Sequence, residues 1–180
     1  MQKQNNKRLI LNLQIFAMSA ILAAFSVVFG KYLAINIGES IRFSFENLPI
    51  LLAGLYFGPL YGGAVGLTAD LVGCLLVGYA INPIITLGAA SIGIISGIVG
   101  KVVKKNGLFR ILPAIVFSHF LGSVVIKTIG MAVFFQLPFW VTFGWRCVNY
   151  LIIGTAEGIL LYLLSRSCAF TEQMQRYRRK

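Results

Sequence analysis

Asp70 and Lys127 carry opposite charges, and each is set inside a long apolar run. An ionisable group near the centre of a membrane-spanning helix costs roughly 3 kcal/mol or more, so it is read first as functional. At about 1.5 Å of rise per residue, Asp70 lies roughly 12 Å from Gly78 and Lys127 roughly 13 Å from Gln136. The two are therefore predicted at similar depth on different helices, where an ion pair would lower the burial cost of both. Arg146 lies roughly 7 Å inside the last apolar run. It shares a helix face with Asn149 at i+3, with Trp145 as an aromatic neighbour. Such an arginine either snorkels to the headgroups or grips a carboxylate or amide oxygen in a cavity. Arg42, Glu46 and Asn47 stand among Phe43 and Phe45, a composition that suits a lid over a planar, hydrogen-bonding ligand. Tyr79 and Asn82 flank a break that opens on the same side. The candidate substrate-binding set is thus Arg42, Phe43, Glu46, Asn47, Asp70, Tyr79, Asn82, Lys127, Trp145, Arg146 and Asn149.

Other chemistries find less material. His119 is the single histidine, and Cys74, Cys147 and Cys168 are scattered, so neither a metal site nor a disulfide framework is expected. His119, Ser123 and Lys127 fall at i, i+4 and i+8, which keeps a relay or channel open. Glu157 is the other ionisable group in the inner half. HExxH, GxSxG and P-loop lysine motifs are absent, and no cofactor is implied. If the chain serves a pump, its ATPase is another chain.

The elements that must position these residues are membrane helices. The chain has 180 residues, 58% hydrophobic and 12% charged, with mean hydropathy +0.83. A water-soluble core of this size could not hide so much apolar surface. The expected architecture is an all-α integral membrane bundle of six transmembrane helices in one domain, at about 9–29, 45–58, 62–78, 84–103, 112–135 and 140–165. A basic tail at 166–180 follows. The apolar run through Phe29 outlasts a signal-peptide core, so it is read as an uncleaved first helix. With six helices, twelve of the sixteen basic residues fall on one side. They are Lys3, Lys7 and Arg8, then Lys101, Lys104, Lys105 and Arg110, then Arg166, Arg176, Arg178, Arg179 and Lys180. The positive-inside rule then places both termini in the cytoplasm. It accounts for the net charge of +11 without nucleic acid; the basic tail is a topology and lipid-surface feature. Gly54-x3-Gly58, Gly62-x3-Gly66, Gly93-x3-Gly97 and Gly154-x3-Gly158 are expected to pack helices closely. Ala17, Ala20 and Ala24 make a smooth stripe on the first helix, open to packing or to a partner protein.

Four segments resemble one family: Ile41-Arg-Phe-Ser-Phe-Glu-Asn-Leu-Pro49, Ala53-Gly-Leu-Tyr-Phe-Gly-Pro59, Gly62-Gly-Ala-Val-Gly66 and Ala69-Asp-Leu71. They are similar to the substrate-binding S components of energy-coupling factor (ECF) vitamin transporters, and most like the folate type. The likeness extends to the alanine stripe and to Arg146-x2-Asn149 with Glu157. It implies a vitamin site near the outer face, capped by the loop between the first two helices. It also implies a transmembrane coupling subunit docked on Ala17, Ala20 and Ala24, and two ATPase subunits. The sequence departs from the family pattern at Glu46-Asn47, where a Gly-Phe-like pair is expected, at Lys127 for Asn, at Asn149 for Gln, and in the 79–83 loop. Folate would use Arg146, Lys127 or Arg42 for its carboxylates, Asp70 or Glu46 for its pterin edge, and Phe43, Phe45, Tyr79 or Trp145 for stacking. Pantothenate or hydroxymethylpyrimidine would use similar parts. A small membrane enzyme or a proton-coupled carrier is the alternative of another class.

Overall fold

Proline and glycine set the helix boundaries. Pro59 and Pro83 each open a helix, at the position where a missing N–H costs nothing. Gly78, at φ 73°, closes the helix that Pro59 begins. The computed structural model describes residues 2–37, 41–103 and 107–167, with only the backbone course for 2–10, 36–37 and 41–42. Lys104, Lys105 and the basic residues from Arg176 onward lie outside the described residues, as does Cys168.

Helix α1 (Gln2–Val27) continues into a π-helical turn, Val28–Tyr32. Strands β1 (Ile35–Ile37) and β2 (Ile41–Phe43) follow as an antiparallel hairpin, with Asn36 opposite Arg42. Then come α2 (Asn47–Phe57), α3 (Pro59–Val77) and α4 (Pro83–Val102). Helix α5 runs over Leu108–Phe135 and is π-helical at His119–Ile126; α6 is Phe139–Arg166. The fold is thus helical apart from one small hairpin.

Among the described residues, five helices are long and apolar enough to cross a membrane: Leu11–Tyr32, α3, α4, α5 and α6. The sixth apolar helix, α2, has 11 residues, about 16 Å of rise against roughly 30 Å of hydrocarbon. It is buried from Asn47 to Leu55, as expected of a helix that is apolar on every side. A short helix buried at its end must have its last carbonyls satisfied. Arg110 does this: its guanidinium donates to the Leu55 carbonyl and lies 5.7 Å from the Tyr56 ring centroid. Arg110 is 6% exposed. Counting it among the loop charges that set topology is therefore corrected; it caps a helix.

Glycines bring α2, α3 and α4 into backbone contact. A Cβ on Gly93 would strike the Gly62 backbone, and one on Gly62 would strike the backbones of Gly93 and Gly54. Leu51, Val65, Ile92, Ile115 and Leu161 complete the core around this contact. The contacts also fix the two ends of the bundle. Glu46 meets Lys127 and Asn82 meets Gly130 at the hairpin end. Arg110 meets Leu55 at the end that carries the first and last helix termini.

Candidate substrate-binding site

Lys127 follows the π segment of α5 and is 5% exposed. Its Nζ lies 3.1 Å from Glu46 Oε1. Small neighbours make room for both side chains. A Cβ on Gly88 would come within 2.6 Å of the Lys127 stem, and one on Gly30 within 2.8 Å of the Glu46 carboxylate. Ser26 Oγ donates to the Glu46 carbonyl at 2.6 Å, tying the start of α2 to α1. The expected Asp70–Lys127 pair is therefore corrected. Asp70 faces α4, where its Oδ2 accepts from Thr86 Oγ1 at 2.7 Å. The chain returning from the hairpin instead brings Glu46 onto α5.

Arg146 turns inward, against the snorkelling alternative. Its Nε donates to the Ser123 carbonyl at 2.8 Å, Nη1 to Met131 Sδ at 3.0 Å, and Nη2 to Tyr150 Oη at 3.4 Å. The guanidinium also lies 5.3 Å from the Tyr150 ring centroid. Ser123 belongs to the π segment, a helix irregularity found often at functional sites. Its hydroxyl meets His119 Nδ1 at 3.3 Å while its carbonyl holds Arg146.

Sequence reasoning did not join His119 to Glu157, nor did it single out Tyr150. His119 Nε2 lies 2.6 Å from Glu157 Oε2, and the two residues are 4% and 0% exposed. The His119 and Tyr150 rings stack at 5.1 Å. A chain of contacts thus runs Glu157–His119–Tyr150–Arg146 down the α5–α6 seam. Counting residues could have found the pair: His119 stands eleven residues past Leu108 and Glu157 nine before Arg166, on antiparallel helices.

The other candidates divide. Asn47 is 1% exposed, and its Oδ1 has no hydrogen-bond partner among the described residues. Phe43 is half-buried in β2, which lies against α6. Asn149 is half-buried one turn beyond Arg146. Asn82 is committed to the backbone: its Oδ1 accepts from the Ile84 and Ile85 N–H groups, and its Nδ2 donates to Gly130. Tyr79 and Trp145 are 55% and 50% exposed, away from the buried polar cluster. Lys31 Nζ lies 5.3 Å from the Tyr79 ring centroid. The Arg42 side chain lies outside the described residues. Under the hairpin, two cations and two carboxylates therefore meet aromatic and amide groups. That set can take both the anionic and the hydrogen-bond-donating edges of one planar solute. Among the described residues no three His, Cys, Asp or Glu side chains group to hold a metal.

The chain is 29% identical over 144 residues to the folate transporter FolT of Clostridium novyi (strain NT), covering 79% of this chain and 83% of that one. It is 37% identical over 68 residues to the uncharacterized protein MG313 homolog of Mycoplasma pneumoniae, covering 38% and 24% respectively. A crystal structure of FolT bound with folic acid superposes with a TM-score of 0.70 at 26% identity, covering 84% of this chain and 93% of that one. The match to the family "ECF transporter, substrate-specific component" spans residues 14–166, and this multi-pass membrane chain belongs to that family.

Proposed function

We propose that this chain is the folate-binding subunit of an ATP-driven ECF uptake transporter. The observation that carries the reading is the buried Lys127–Glu46 pair beside Arg146, beneath the hairpin. Its resemblance to FolT in sequence and fold supports folate as the ligand. Arg146 supplies the positive charge for the glutamate carboxylates, and Lys127, 3.1 Å from the Glu46 carboxylate, holds it in place. Asp70 and Glu46 accept hydrogen bonds from the pterin edge, Asn47 and Asn149 add amide contacts, and Phe43 stacks. Arg42, Tyr79 and Trp145 line the approach at the rim, and Asn82 fixes the mouth by holding α4 to α5.

We read the bundle as six crossings with both termini in the cytoplasm. The one-sided basic residues support this, as does the way α2 completes the alternation between α1 and α3. The hairpin end then faces outward to capture the solute. Ala17, Ala20 and Ala24 are all exposed along α1, so this face is free to receive the coupling subunit, which with two ATPases completes the transporter. Replacing Ala20 and Ala24 by Trp adds bulk on that exposed face. The double variant should bind folate as the wild type does, yet fail to co-purify with the coupling subunit or support uptake in reconstituted vesicles. Unchanged assembly would remove the docking role from α1.

A further inference from the structure

A cavity lies on the outside of the bundle, below the hairpin. It is a groove of about 540 Å³ between α5 and α6. Leu112, Val116 and Phe120 wall it on one side and Leu151, Ile159 and Leu163 on the other, all exposed on the outside of the bundle. Gly154 and Gly158 form its floor. Unlike Gly62 and Gly93, they are not needed for helix contact. A Cβ at Gly154 would meet only the side chains of Ile115 and His119, at 3.4 and 3.5 Å, and one at Gly158 only Ile115, at 3.3 Å. The expectation that Gly154-x3-Gly158 packs two helices is therefore corrected; here the missing side chains hollow out a groove.

The lining excludes a polar occupant. His119 engages Ser123 and Glu157 with its two ring nitrogens, Tyr150 Oη is bonded to Arg146, and Thr155 Oγ1 donates to the Leu151 carbonyl at 2.6 Å. Apart from the Cys147 thiol and the Tyr162 hydroxyl, what remains is carbon surface, unsuited to a vitamin with carboxylates. The groove extends from Leu108 to Val124, about 24 Å along the helix, against roughly 15 Å of hydrocarbon in one leaflet. One end carries charge. Tyr162 lines the groove, and the exposed Arg166 guanidinium lies 5.8 Å from its ring centroid.

We propose that this groove holds one acyl chain of an anionic phospholipid, with the headgroup at Arg166. A lipid tail gains little by leaving other tails for an apolar protein surface. Retention therefore depends on the fit of the chain over the glycine floor and on the attraction of the headgroup to Arg166. The groove borders the vitamin site through Tyr150, which bonds to Arg146, but the proposal does not rest on the vitamin assignment.

The test is native mass spectrometry of the full chain released from vesicles of equal parts phosphatidylglycerol and phosphatidylcholine. The wild type should retain one lipid, enriched in phosphatidylglycerol. Gly158→Leu, with an unchanged melting temperature, should lose it, and Arg166→Gln should keep a lipid but lose the enrichment. If Gly158→Leu is unstable, Leu112→Trp fills the groove from the opposite wall and should show the same loss. Absence of a retained lipid in the wild type would overturn the proposal, as would equal retention in the filled variants. Loss of coupling-subunit assembly in Gly158→Leu with its lipid intact would assign the groove to a protein partner and overturn it as well.

Discussion

Lys127→Met is expected to destabilise the isolated chain by about 2–3 kcal/mol, below the range for a fully buried ion pair because the Glu46 side chain is 26% exposed. The ammonium is 5% exposed and Glu46 lies 3.1 Å from it. Without it, Glu46 is left without its ammonium partner at the start of α2. The pairing can be isolated by a double-mutant cycle read from unfolding in detergent. Glu46→Gln combined with Lys127→Met should recover about 1–3 kcal/mol relative to the sum of the single changes, the size expected for residues in contact. Asp70→Asn combined with Lys127→Met should be more nearly additive, since Asp70 bonds to Thr86. Strong coupling to Asp70 and none to Glu46 would reverse this assignment. Folate affinity should also fall sharply in Lys127→Met, because the change removes the buried ammonium that holds Glu46 in the site.

Glu157→Leu is expected to have a larger effect, about 3–5 kcal/mol on stability, although Glu157 lies below the hairpin cluster. Its carboxylate is fully buried against His119 at 2.6 Å. Loss of the carboxylate leaves a polar ring in an apolar seam, and that ring stacks on Tyr150, which in turn holds Arg146. Changing both partners, as His119→Phe with Glu157→Leu, should restore most of the stability, since an apolar pair of similar volume can replace a buried ionic one. Folate affinity separates the two consequences. If Tyr150 and Arg146 depend on the pair, affinity stays reduced in the single variant even at temperatures where the fold is intact. Unaltered stability of Glu157→Leu would show that the seam does not need the pair.

The sequence carried much of this architecture in particular residues. Pro59 and Pro83 mark helix starts because proline is favoured in a first turn, where its missing N–H costs nothing. Apolar length marks the membrane helices because the bilayer thickness sets it. The cations Lys127 and Arg146 stood out because charges inside apolar runs are costly. What escaped depended on rotation and irregularity. Residue counting gave Asp70 and Lys127 the same depth, but depth does not fix the direction a helix faces; Asp70 faces Thr86. The π segment at His119–Ile126 has no local sequence rule, so the contacts of Ser123 with both His119 and Arg146 could not be read from spacing. Arg110 looked like a loop charge because its role depends on where α2 ends in space. Gly154 and Gly158 have the spacing of a packing motif, and only the neighbouring surfaces show that they floor a groove.

The most direct test of the central claim is a calorimetric titration of the detergent-purified chain, without partners, against folate, pantothenate, thiamine, riboflavin, biotin and hydroxymethylpyrimidine. The account predicts tight one-to-one binding of folate, lost in Arg146→Met. Tight binding of a different vitamin by the folded chain, with folate inert, would contradict it.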